Sequence, residues 1–90
     1  MNQVFLNKKA RKQLKNLPKH IIANLRAWIN EVETVGINET RKVKGYHDEP
    51  LKGNRSGQRS VRLSKAYRAF YIERDDRIVI EVIEVNKHDY

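Results

Sequence analysis

Glu49, Arg68 and His88 are the side chains around which a phosphodiester-cleaving site can be assembled in this sequence. Most of that chemistry lies in one stretch, YHDEPLKGNRSGQRSVRLSKAYRAFY, at positions 46–71. RNA carries its own nucleophile, the 2′-hydroxyl. A protein that exploits it must supply a base near that hydroxyl, cations around the crowded phosphate, and an acid for the departing 5′-oxygen. Glu49 or His47 could be the base, Arg62 and Arg68 with Lys52 could hold the phosphate, and His88 could be the acid. Tyr67 and Tyr90 offer ring faces on which a splayed base could stack.

Residue types and spacing make this set available but not specific, and each member has an ordinary structural reading. Glu49 can pair with Lys52, and Arg68 can bridge to Glu84 or Glu81 across a sheet. Arg62 can sit on a solvated strand face, and Tyr67 and Tyr71 can cover the sheet. His47 and Arg55 can be loop residues, and Asp48 reads as a loop residue without a role. Glu49 precedes Pro50, which biases its backbone to an extended form and holds its side chain out.

Charge distribution favours a polyanionic partner. The formal net charge is +8, from 19 Lys and Arg against 11 Asp and Glu. Residues 1–26 carry seven basic groups and no acid, and residues 41–68 carry nine against two. Two basic blocks of this kind point to nucleic acid or to an acidic protein. The basic residues Lys8, Lys9, Arg11, Lys12 and Lys15 are accounted for by a solvated helix face or by non-specific electrostatic contacts to nucleic acid.

Several classes are disfavoured. No run approaches the ~20 apolar residues of a membrane span, so a soluble chain is expected. The start, MNQVFLNKKARKQLK, has no apolar stretch followed by a small-residue cleavage site, so no secretion signal is expected. Cysteine is absent, which removes disulfides and thiolate chemistry and fits a reducing cytosol. The three histidines, at 20, 47 and 88, have no zinc-like spacing, and GNRSGQR lacks the Gly-Lys-Ser/Thr ending of a phosphate loop. A helix-turn-helix would leave the strands without a role.

The elements that must position these residues follow from periodicity. One domain over residues 1–90 is expected. A short strand at Val4 to Leu6 leads into a basic helix with Ala10, Leu14 and Leu17 on one side. Pro18 ends that helix and opens the next, whose stripe is Ile21, Leu25, Trp28, Ile29, Val32 and Val35, closed by Gly36. Residues 37–58 read as loop, with a short strand near Arg41 to Lys44. From Ser60 the period is two: Val61 and Leu63 face one way, and Ser60, Arg62 and Ser64 the other. Arg68 shares a face with Phe70 and Ile72, an odd place for a charge unless it rims a cleft. IVIEVIEV is apolar on both faces and reads as a central strand. The fold expected is α+β: a strand, a helix hairpin, then an antiparallel three-stranded meander, with both helices on one side of the sheet.

In that order, EPLKGNRSGQRSVRLSKAYRAFY and a closing EVNKHDY resemble the RelE/ParE superfamily of bacterial toxins, nearest to its YoeB-like and HigB-like branches. The resemblance rests on Pro-Leu-Lys-Gly, Ser-x-Arg, Tyr-Arg-x-x-Tyr and a final His-x-Tyr, and covers roughly the second half of the chain in detail. It implies a microbial-ribonuclease-like fold. It also implies a metal- and cofactor-free endoribonuclease that cuts mRNA in the A site of the 70S ribosome, in the bacterial cytoplasm. A cognate, acidic antitoxin would neutralise it. By position it casts Glu49 as general base, Arg68 as transition-state stabiliser, and His88 and Tyr90 as residues for leaving-group protonation and base stacking. Lys52 and Arg62 become phosphate-contacting residues, with Arg55, Tyr67 and Lys87 added as RNA contacts. YoeB-like chains end in adjacent His-Tyr, whereas Asp89 intervenes here. Because neighbours on a strand point to opposite sides, that spacing decides which of His88 and Tyr90 reaches the phosphate. Two other readings stand beside this one: a ParE-like gyrase poison, which needs no acid–base set, and a non-catalytic nucleic-acid-binding module.

Overall fold

A helical period of apolar residues followed by a two-residue period predicts a helix layer on one face of a sheet. The computed structural model, which describes residues 2–85, has that arrangement. Strand β1 (Gln3–Leu6) is followed by helices α1 (Lys8–Leu14), α2 (Lys19–Val35) and the one-turn α3 (Ile37–Thr40). Then come strands β2 (Glu49–Pro50), β3 (Arg59–Arg62), β4 (Tyr67–Arg74) and β5 (Arg77–Val85). They form one five-stranded sheet in the order β1-β5-β4-β3-β2, with β1 parallel to β5 and every other pair antiparallel.

Local chemistry sets the helix boundaries. The Asn7 side chain accepts from the Ala10 N–H at 2.9 Å and caps α1. Pro18 is the residue before α2, where its missing N–H costs nothing. Gly36, at φ 90°, ends α2 in a conformation that side chains disfavour. The stripe predicted for α2 is buried at Ile21, Leu25, Trp28 and Val32, half-buried at Ile29 and exposed at Val35. These residues and Ala10 meet Val61, Leu63, Ala69, Tyr71, Ile78, Ile80 and Ile83 of the sheet side. Burying a side chain of this kind contributes about 1.5–3 kcal/mol. Polar clamps fix the layers: Gln13 accepts from the Ile83 N–H and donates to its carbonyl, both at 2.8 Å, and Asn24 donates to the Leu63 carbonyl at 2.8 Å.

Two expectations need correction. The segment near Arg41 to Lys44 is no strand: α3 runs into a helical turn, and a 3₁₀ turn follows at Lys44–Tyr46. Thr40 donates to the Gly36 carbonyl at 2.9 Å and Ile37 is buried, so tertiary packing winds a stretch that its sequence left patternless. The meander also has a fourth member, β2, at the sheet edge, where Pro50 can be tolerated.

Strand β5 is internal to the sheet, between β1 and β4, as its two apolar faces indicated, and a bulge interrupts its alternation. Phe70 pairs with Val82 and Tyr71 with Ile80, leaving Glu81 as the extra residue. A bulge reverses the alternation. Ile78 and Ile80 face the core before it, Ile83 faces the core after it, and Glu84 is carried to the opposite face.

Candidate active site on the open face of the sheet

The face of the sheet away from α1 and α2 carries Glu49, Arg62, Arg68 and Glu84, and among the described residues no α-helix covers it. Register places Glu49, Ser60 and Phe70 in one row across β2, β3 and β4. The next row holds Arg62, Arg68 and Glu84. Alternation puts Arg62, Arg68 and Phe70 on this face because Val61, Ala69 and Tyr71 are buried on the other.

Arg68 reaches out of its own row. Its Nη1 donates to the Ser60 hydroxyl at 3.0 Å and to Glu49 Oε1 at 3.4 Å. Ser60 is fully buried, so the guanidinium is fixed at its base, while the Glu49 side chain is 61% exposed and the Arg68 side chain 22%. An ion pair with one member so exposed contributes about 0–1 kcal/mol to stability. Glu49 therefore pairs with Arg68 rather than Lys52, and its side chain remains largely exposed.

Arg62 lies directly across from Arg68. Like charges in opposed positions destabilise a sheet, and Arg62 makes no ion pair among the described residues. Lys52 stands exposed at the head of the 3₁₀ turn Gly53–Arg55, which Leu51 closes by donating to the Gln58 carbonyl at 2.9 Å. Gly53 (φ 67°) and Gly57 (φ 96°) take the left-handed conformations this turn requires.

The carboxylates expected as alternative partners of Arg68 are taken by others. Glu84 Oε1 accepts from Arg55 at 2.6 Å, and Glu81 Oε1 from Gln58 at 2.8 Å. Arg55 is thus folded onto the sheet rather than free in a loop, with its Cζ 4.4 Å above the centroid of the Phe70 ring. Tyr67 is half-buried on the core side with Ala69 and Tyr71, so it does not join the cluster. His88, Tyr90 and Lys87 lie outside the described residues.

Asp48 corrects the sequence reading most sharply. Its side chain is 1% exposed, far from an idle loop residue. It accepts from Arg59 Nε at 2.6 Å and from the Tyr71 hydroxyl, and Arg41 Nε lies 3.9 Å away. Arg41 in turn donates to the Tyr71 oxygen at 3.2 Å and to Glu73 at 3.0 Å. Burial pushes the Tyr71 phenol far up, its hydrogen bond to Asp48 adds to this, and Arg41 opposes it. For Arg41 burial disfavours the charge, but the bonds to Tyr71 and Glu73 outweigh it and raise the pKa. The Tyr71 ring packs on Trp28 at 5.3 Å between centroids, which ties this network to the core. One residue thereby anchors the two-residue strand that presents Glu49. Sequence gave no signal for Asp48. Ser60 and Phe70 were visible only as strand residues, and Glu84 only as a candidate partner for the wrong arginine.

Among the described residues, no group of three or more His, Asp or Glu side chains is placed to hold a metal ion, and no helix is long and apolar enough to cross a membrane.

No protein-family model and no curated protein matches the chain. Solved structures do. The RelE–RelB complex of Pyrococcus horikoshii aligns with a TM-score of 0.74 at 22% identity, over 97% of this chain and 97% of that one. The YoeB–YefM complex of Staphylococcus aureus aligns at 0.72 with 18% identity, over 96% and 98%. YafQ of Escherichia coli aligns at 0.64 with 19% identity, over 96% and 94%. Strand, helix pair and antiparallel sheet coincide over almost the whole of each chain, and the protein has the fold of the RelE-like toxins.

Proposed function

We propose that this protein is the toxin of a toxin–antitoxin pair, a metal-independent endoribonuclease that cuts mRNA on the ribosome and so stops translation. The observation that carries the reading is the Glu49–Arg68–Ser60 constellation, with Arg62 opposed to Arg68 on an open, basic sheet face. An exposed carboxylate beside a fixed guanidinium is the minimum a 2′-hydroxyl attack requires. Glu49 takes the 2′-hydroxyl proton as the 2′-oxygen bonds to phosphorus. Arg68, Lys52 and Arg62 hold the charge of the five-coordinate phosphate. The bond from phosphorus to the 5′-oxygen breaks, leaving a 2′,3′-cyclic phosphate, and His88 with Tyr90 supplies the proton to the leaving oxygen. RNA provides the nucleophile, so the scheme calls for no metal or cofactor.

The solved RelE–RelB and YoeB–YefM structures are complexes, which supports a cognate antitoxin as partner. The basic surface makes an acidic one fitting. The ribosome, mRNA and a bacterial cytoplasm complete the proposal. The deciding experiment is translation in vitro with purified ribosomes and mapping of message ends. Cleavage by the parent and none by a Glu49→Ala/Arg68→Ala/His88→Ala triple variant is expected. Intact message together with blocked gyrase supercoiling would replace this reading with the gyrase poison, and neither effect would leave a binding module.

A further inference from the structure

The Phe70 ring is the part of the open face that the phosphate chemistry does not use. It lies in the row with Ser60 and Glu49, and two positions along β4 from Arg68. Both side chains therefore leave the same face of one strand, with about 7 Å between their origins. That separation matches the reach from a nucleotide's phosphate to its base. A phosphate held by Arg68 would bring the attached base over Phe70.

That surface is occupied. Arg55 lies 4.4 Å above the ring and is drawn there by Glu84 at 2.6 Å. A guanidinium at stacking distance leaves no room for a base beneath it. Space for Arg55 to swing aside exists, since Gly53 and Gly57 flank its turn and a side chain built at either would meet nothing within 4 Å. The bulge at Glu81 supplies the other half of the device, since it is what turns Glu84 to this face.

We propose that Phe70 is a stacking subsite for a nucleobase of single-stranded RNA, and that Arg55, held by Glu84, is a latch the base must displace. The proposal rests on the open face being the RNA site. Its probe is a 2′-O-methyl hexanucleotide, which cannot be cleaved by 2′-hydroxyl attack, carrying a 5′ fluorescein and one 2-aminopurine whose emission falls on stacking. The parent protein should bind it and quench the 2-aminopurine. Phe70→Leu should bind about tenfold more weakly and leave the emission high, and Phe70→Tyr should restore both. Glu84→Gln should bind severalfold more tightly than Glu81→Gln, which loses the same charge from the same strand without freeing Arg55. Phe70→Leu that binds and quenches like the parent overturns the subsite while the RNA reading stands. Equal affinities for the two glutamine variants overturn the latch. A parent that binds no RNA at low salt overturns both, together with the RNA reading itself.

Discussion

Asp48 and Glu49 are adjacent in the chain and opposite in environment: the first side chain is 1% exposed, the second 61%. Asp48 is locked by Arg59 and Tyr71 on the core side of the sheet edge, so Glu49 is turned to the open face beside Arg68. The acidic pair in a basic stretch is one anchor and one reactive group. Each should fail in its own way when changed.

Glu49→Gln tests the reactive half. The amide keeps the size and the hydrogen bond from Arg68 but cannot take a proton. Message cleavage should fall by about 10²–10⁴-fold, the usual worth of a general base. The melting temperature should stay near that of the parent, because so exposed an ion pair contributes little. Rate and melting measured on the same preparation separate the two effects, and unchanged cleavage would remove Glu49 from the mechanism.

Asp48→Ala tests the anchor. Removing one partner of a buried charged network costs about 3–5 kcal/mol, because Arg59 is left without its carboxylate and the Tyr71 hydroxyl without its acceptor, while Arg41 keeps only the Glu73 carboxylate. In a domain of this size each kcal/mol lowers the melting temperature by roughly 4–8 °C, so urea and thermal melts should show a large loss. Asp48→Asn, which keeps an acceptor for Arg59 but not the charge, should fall between. A loss within about 0.5 kcal/mol for the alanine variant would mean that the network does not hold β2.

Much of this architecture was legible from pattern alone. The stripe from Ile21 to Val32 and the alternation after Ser60 gave the helix layer, the sheet and the face that Arg62 and Arg68 occupy. What escaped depends on register and on contacts distant in sequence. The bulge at Glu81 is decided by how β4 and β5 pair, and it alone turns Glu84 away from the core side. Asp48 meets Arg59 and Tyr71 from 11 and 23 residues away, and no local spacing encodes that. Arg68 finds Glu49 rather than Glu84 for the same reason: a two-residue edge strand is too short to leave a periodic signal.

Phosphate contacts should appear in the salt dependence of RNA binding. Arg62→Ala and Lys52→Ala should each lower the slope of log affinity against log salt by about 1, with similar loss across RNA sequences. Arg74→Ala, at the far end of β4, should leave the slope unchanged. The comparison is best made by titrating a 2′-O-methyl strand at several salt concentrations. An unaltered slope for both Arg62→Ala and Lys52→Ala would place the RNA elsewhere.

Tyr71 gives the fold a limit on the alkaline side. Its phenol is raised by burial first and by its hydrogen bond to Asp48 second. The folded protein therefore holds this proton more tightly than the unfolded chain, whose tyrosines titrate near 10. Below that pH neither state ionises and the contribution is whole. As pH rises above about 10 the unfolded chain loses the proton first, so stability declines with pH. Tyr71→Phe should cost about 1–2 kcal/mol at neutral pH, since Asp48 loses a donor and Arg41 an acceptor. Its stability should then fall less steeply than that of the parent between about pH 10 and 12, as the titrating group is gone. Denaturant midpoints for both proteins across that range make the comparison, and parallel slopes would show that Tyr71 is not the group responsible.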